Sequence, residues 1–136
     1  MPDVVTCIIL NEEGKILLMK RSNKVRTYRG CWGSVAGYVE VGEEPIDTAY
    51  KEIFEEIGLE KTDVEFIKRS DPLEFPDRYD DINYNWKIFP FLFKTQKKDK
   101  VNIDWEHTKY RWVDPLKVGK FDTVPHFETV LSSLIK

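Results

Sequence analysis

Gly37–Leu59 reads GYVEVGEEPIDTAYKEIFEEIGL, and the fold turns on how that stretch is read. Pro45 suits the first turn of a helix, where its missing N–H is not needed. Glu43 and Glu44 precede it and are favoured at the positive end of a helix dipole. Ile46, Ala49, Tyr50, Ile53 and Ile57 recur at helical spacing and supply a buried stripe. Gly58 fits a C-terminal cap. At about 100° per residue, Glu52, Glu55 and Glu56 centre roughly 120° away from that stripe. One helix therefore packs on a sheet with one face and offers three carboxylates with another. Carboxylates that close repel one another unless something positive sits between them. A hard divalent cation, Mg²⁺ or Mn²⁺, suits such an all-oxygen set.

Outward from this helix, the chain alternates β-rich runs with turns. Val4–Leu10 and Lys15–Arg21 are apolar runs around Asn11-Glu12-Glu13-Gly14, which predicts a hairpin. Ser22–Gly33 is a basic loop, and Ser34–Val41 holds short extended pieces around Gly37. Val64–Ser70 and Trp86–Lys94 read as strands, with Pro90 arguing for an edge or a bulge. Asp71–Asn85 (DPLEFPDRYDDINYN) reads as a long polar loop, of the kind that is often functional. Val101–Asp104 and Tyr110–Val113 are expected as short strands, Pro115–Lys117 as a helix start, and Pro125–Ile135 as an amphipathic helix. The sum is a single α/β domain over residues 1–136, a mixed β-sheet with helices packed on it.

The bulk numbers exclude several classes. With 136 residues, 41% of them hydrophobic, the chain has enough for one core. A net charge of −3 argues against a dedicated nucleic-acid binder, which is normally basic. No apolar run approaches membrane-spanning length and no signal-type leader is evident, so a cytoplasmic protein with no membrane partner is expected. Cys7 and Cys31 form no C-x-x-C pair, and Cys7 lies in an apolar run as a buried small hydrophobe. His107 and His126 are too few for the common His-based zinc sites.

The spacing in Gly37–Leu59 resembles the Nudix box, G-x5-E-x7-R-E-U-x-E-E-x-G-U with U aliphatic. Gly37, Glu43, Glu52, Ile53, Glu55, Glu56, Gly58 and Leu59 fall on its fixed positions, and Lys51 stands where the family usually has Arg. The resemblance implies an α/β/α sandwich and metal-dependent hydrolysis of a diphosphate joined to another group. It implies that the carbonyl of Gly37 and the carboxylates of Glu52, Glu55 and Glu56 hold Mg²⁺ or Mn²⁺. It implies a Glu43–Lys51 contact that orients the site, looser than the family's pairing because an ammonium lacks the guanidinium fork. Family members draw the general base either from the box, here Glu52 or Glu55, or from a distant loop, here Glu106 in WEHTKYRWVDP. Glu40, beside the metal loop, is a weaker candidate. A homodimer is common in the family, though no stretch of this sequence specifies one.

Substrate recognition is expected from Arg21, Arg26 and Arg29, whose forks suit phosphate oxygens. Among the aromatic residues, Tyr79 and Tyr84 of the long polar segment are preferred for stacking on a base, ahead of Tyr28, Trp32, Phe75 and Trp86. The stretch LLMKRSNKVRTYRGCWGSVAG resembles part of the coenzyme A pyrophosphatase motif, with Ser34-Val35-Ala36 replacing its Phe-Pro-Gly. The expected substrate is a small-molecule nucleoside diphosphate derivative. Two other classes stay open: a nucleotide-binding regulatory module without turnover, and an isopentenyl diphosphate isomerase, which shares the fold but uses a His-rich metal site and a catalytic Cys.

Overall fold

The computed structural model describes residues 2–135. Three long strands carry the middle of the molecule: β1 (Asp3–Leu10), β2 (Ile16–Arg21) and β7 (Ile82–Thr95). Where they pass through the centre of the sheet they read as largely apolar runs, because both faces are covered there. Val5, Cys7 and Ile9 of β1 point to one side with Leu17, Met19, Phe91 and Phe93. Ile8 points to the other with Ile16, Leu18 and Leu92. The helix α1 (Pro45–Ile57) covers the first face through Ala49, Ile53 and Ile57, with Ile46 and Tyr50 at its margin. The helix α2 (Phe127–Leu134) covers the second through Phe127, Val130, Leu131 and Leu134. The result is the expected α/β/α sandwich.

The sheet has eight strands, completed by β3 (Trp32–Gly33), β4 (Val35–Tyr38), β5 (Val64–Arg69), β6 (Leu73–Tyr79) and β8 (His107–Val113). It is mixed: β1 runs parallel to β7, from Asp3 opposite Lys87 to Leu10 opposite Lys94, and the other pairings are antiparallel. The expected β1–β2 hairpin is pinned only at Leu10 and Ile16. Beyond that point β1 pairs with β4 and β2 with β8. The splaying lets β4 deliver Gly37 beside α1.

Two expectations are corrected. The segment 71–85 is not a loop: β6 and the start of β7 form a hairpin, paired from Leu73–Ile88 to Tyr79–Ile82. Asp80 and Asp81, with φ of 50° and 63°, make its turn. Val101–Asp104 is not a strand. Its backbone instead satisfies the end of α1, with Asn102 N–H on the Ile57 carbonyl at 2.9 Å and Asp104 N–H on that of Glu56 at 3.2 Å. Pro90 lies within β7, opposite Thr6 of β1. Its missing N–H falls where the other side of β7 passes from β5, ending at Arg69, to β6, starting at Leu73. Cys7 and Cys31 are both free thiols. Among the described residues no helix is long and apolar enough to cross a membrane.

Candidate active site

A cleft of about 230 Å³ opens at the end of the sheet where β4, α1 and the start of β8 meet. Gly37, Glu52, Glu106 and Arg21 line its inner end. Glycine is required at Gly37 for space: an added Cβ would lie 2.5 Å from Glu52 Cγ and closer still to its carboxyl group. The absent side chain is what allows the helix carboxylate to lie against the β4 backbone.

Helical spacing puts the other acids around Glu52, and their burial differs sharply. Glu56 is almost fully buried. Its Oε1 lies 3.5 Å from the Ala36 nitrogen, while among the described residues its Oε2 has no partner. Glu55 is exposed, outside the cleft wall but close enough to act on Glu52. Glu106 lines the cleft, fixed by its own N–H to Asp104 Oδ1 (3.2 Å) and by its carbonyl to the Ser22 N–H (2.7 Å). Desolvation, then repulsion by Glu55 and Glu106, raises Glu52 to a pKa of about 7. Burial, then Glu106, Glu52 and Asp104, pushes Glu56 well above the usual carboxylate range. Glu106 is also raised, by burial first and Asp104 second. These acids raise one another's proton affinity, and the orphaned Glu56 oxygen is the most buried acceptor among them. Among the described residues no three His, Cys, Asp or Glu side chains are grouped closely enough to hold one metal ion.

His107 was not singled out from the sequence, yet it sits behind the most buried of these acids. It is buried, with Nδ1 3.1 Å from Asp104 Oδ1 and Nε2 3.9 Å from Glu56 Oε1. Burial lowers its pKa. A neutral ring that donates Nδ1–H to Asp104 turns its Nε2 lone pair toward Glu56. The only sequence signal was its place directly after Glu106.

Lys51 and Glu43 do meet, at 2.8 Å through a single nitrogen. The contact is short, and what a fork would have bonded is held by others: Glu43 Oε1 accepts from Thr48 Oγ1 (2.9 Å) and the Glu40 N–H (3.1 Å). These bonds, that to Lys51 foremost, hold Glu43 down at a pKa of about 2. Glu40 is thereby part of the turn before α1 and not of the cleft wall.

The substrate candidates divide. Arg21 lines the cleft, steadied by Nε on the Thr27 carbonyl at 2.9 Å. Arg29 instead ties its loop together, with Nε on the Val25 carbonyl (2.9 Å) and Nη1 3.5 Å from Asp80. Arg26 is exposed and, like Arg29, off the cleft wall. Tyr79 and Tyr84 do not line the cleft either; each backs an aromatic ring that does. Tyr79 packs on Tyr28 at 4.8 Å between centroids, and Tyr84 stacks on Trp86 at 4.7 Å and 4°.

The chain matches the model of the NUDIX domain over residues 1–133 and belongs to that family. It is 28% identical over 111 residues to an isopentenyl-diphosphate Δ-isomerase of Halobacterium salinarum, covering 80% of this chain and 52% of that protein. It is 31% identical over 100 residues to an RNA pyrophosphohydrolase of Blochmanniella pennsylvanica, covering 61% of each. The chain thus spans between half and two thirds of these relatives' length. The MutT protein of Methanosarcina mazei Go1 superposes with a TM-score of 0.74 at 24% identity, over 99% of this chain and 96% of that one, a likeness of fold.

Proposed function

We propose that this Nudix-family chain is a metal-dependent hydrolase that cleaves the diphosphate linkage of a small nucleoside diphosphate derivative. One observation carries the reading: Glu52 and Glu106 line one end of a cleft and Glu56 lies buried within reach of their charge, all with raised proton affinity, and among the described residues a buried oxygen of Glu56 has no partner. The Gly37 carbonyl with Glu52, Glu55 and Glu56 would hold Mg²⁺ or Mn²⁺. Bound there, the cation supplies neutralisation of phosphoryl charge and a more acidic water. Arg21 keeps guanidinium donors for phosphate oxygens beyond its bond to Thr27. Glu106, set across from Glu52 on a different element, takes the proton as water attacks phosphorus and the bridging P–O bond breaks. Its raised proton affinity makes it a stronger base than an exposed carboxylate. Glu52 remains the alternative base. Lys51 and Glu43 hold the first turns of α1 in register with the Gly37 loop. The cytoplasm as its compartment, and nucleic acid and membrane as absent partners, belong to the same reading; a homodimer stays an expectation of the family.

The test is a screen of purified protein with Mg²⁺ and Mn²⁺ in ¹⁸O-water. The panel holds nucleoside triphosphates, dinucleoside polyphosphates, ADP-ribose, NADH, coenzyme A and sugar nucleotides. Cleavage with ¹⁸O on one phosphoryl product, abolished in Glu56→Gln and much slowed in Glu106→Gln, is the expected result. Nucleotide binding without cleavage across the panel would replace the hydrolase with a binding module. The Halobacterium relative motivates one further arm, isopentenyl diphosphate. A double-bond shift there without phosphate release would replace hydrolysis with isomerisation, although Cys31 is not on the cleft wall.

A further inference from the structure

The outer end of the cleft is built differently from its carboxylate end. Among the described residues four other than glycine have left-handed φ. Asp80 and Asp81 form the hairpin turn; the other two, Tyr28 (52°) and His126 (67°), both line the cleft. Bulky L residues avoid this region, and where they hold it their neighbours impose it. Here the neighbours are one face of β6, where Phe75, Asp77 and Tyr79 alternate with exposed residues. Phe75 stacks on His126 at 3.9 Å and 7°, and Tyr79 packs on Tyr28. Asp77 Oδ2 accepts the Tyr28 hydroxyl.

Asp77 is half-buried on the cleft wall, and among the described residues no Lys or Arg pairs with it. The nearby arginines are engaged with the turn, Arg29 with Asp80 and Arg78 with Asp81. Its Oδ1 accepts the Arg78 N–H at 2.9 Å, so each carboxylate oxygen already takes one bond. An ionised carboxylate accepts about two per oxygen, which leaves one position on each. Two acceptors side by side, beside the Trp86 ring, call for a flat ligand with two adjacent N–H donors.

We propose that this end of the cleft reads the substrate's base, and that the base is of the guanine type, its ring N–H and 2-amino N–H bonding the two oxygens of Asp77. The proposal rests on the reading of the cleft as a nucleotide diphosphate site and names its substrate class. Adenine and cytosine set a ring acceptor beside their amino donor, and uracil sets its N–H between two carbonyls. Each would turn a lone pair toward the carboxylate and leave it without a partner.

Calorimetric titration with GMP, IMP, AMP and UMP, in Mg²⁺, tests this on the intact protein and on its Asp77→Asn variant. GMP is expected to bind at least about tenfold tighter than AMP or UMP, and IMP, which lacks the 2-amino group, about tenfold more weakly than GMP. In Asp77→Asn the preference for GMP over AMP disappears. Equal affinities for GMP, IMP and AMP, no binding of any of them, or an unchanged preference in Asp77→Asn would each overturn the proposal. If GMP is preferred yet guanine-containing diphosphates survive intact, the hydrolytic reading fails and the base assignment stands. If diphosphates are cleaved whatever their base, the reverse holds.

Discussion

At the scale of single residues, the site depends on one missing atom and one unpaired oxygen. Gly37→Ala would place a methyl group inside the Glu52 carboxylate, so the loop or the helix must shift. Displacement of about 1 Å can cost roughly a hundredfold in rate. Turnover is expected to fall by that order, with divalent-cation affinity weakened in parallel, as followed by Mn²⁺ paramagnetic resonance. Full activity in Gly37→Ala would mean that the close approach is incidental. Glu56→Gln keeps the shape of the side chain and removes a buried ionisable group. Without metal at pH 8 its melting temperature is expected to rise above that of the parent, and its gain on adding Mg²⁺ to vanish. A lower metal-free melting temperature would show that the buried Glu56 is already compensated. These acids were legible because helical geometry turns the spacing of Glu52, Glu55 and Glu56 directly into neighbourhood. Asp77 and His107 were not, because their partners, Tyr28 and Glu56, lie 49 and 51 residues away in the chain.

At the scale of elements, legibility followed burial. α1 declared itself through Pro45, its apolar stripe and Gly58, whose φ of 74° and N–H on the Phe54 carbonyl close the helix. β6 escaped notice because it pairs with β7 alone, and an edge strand tolerates both Pro76 and a charged outer face. Its alternation of Leu73, Phe75, Asp77 and Tyr79 was present in the sequence, masked by two prolines and a turn without glycine. Asp80-Asp81 is a strained choice there, since both residues hold positive φ. Asp81→Gly is expected to raise stability by about 0.5–1 kcal/mol, the relief of strain being partly offset by glycine's greater chain entropy. Thermal and urea denaturation would read it, and a loss of stability would indicate that the exposed Arg78–Asp81 pair outweighs the strain. Val101–Asp104 was misread for a related reason: its Val101 is buried like a strand residue, but its N–H groups serve a helix end.

At the scale of the molecule, the crowded acids link folding to pH. Unfolded, a Glu ionises near pH 4.3. Folded, Glu52 holds its proton to about pH 7, and Glu56 and Glu106 are raised as well. Between those values the native state binds more protons than the unfolded one, so stability falls as pH rises through the window. The metal-free protein should therefore melt several degrees lower at pH 8 than at pH 5, and excess Mg²⁺ should remove most of the difference. A flat profile without metal would show that the three carboxylates do not feel one another as their geometry suggests. The length of β7 carries a different consequence. Its 14 residues belong to two bodies: Lys87–Lys94 lies beside β1 in the centre of the sheet, whereas Ile82–Trp86 is held by β6 alone. A single strand thus spans a slow and a fast regime of amide exchange. The protons of Ile82–Asn85 should be lost through fraying of the arm, long before global unfolding releases those of Phe91–Phe93. The arm also carries Asp77 and Trp86 of the cleft wall, so a molecule bound there would slow this exchange, and occupancy would be written in deuterium along one strand.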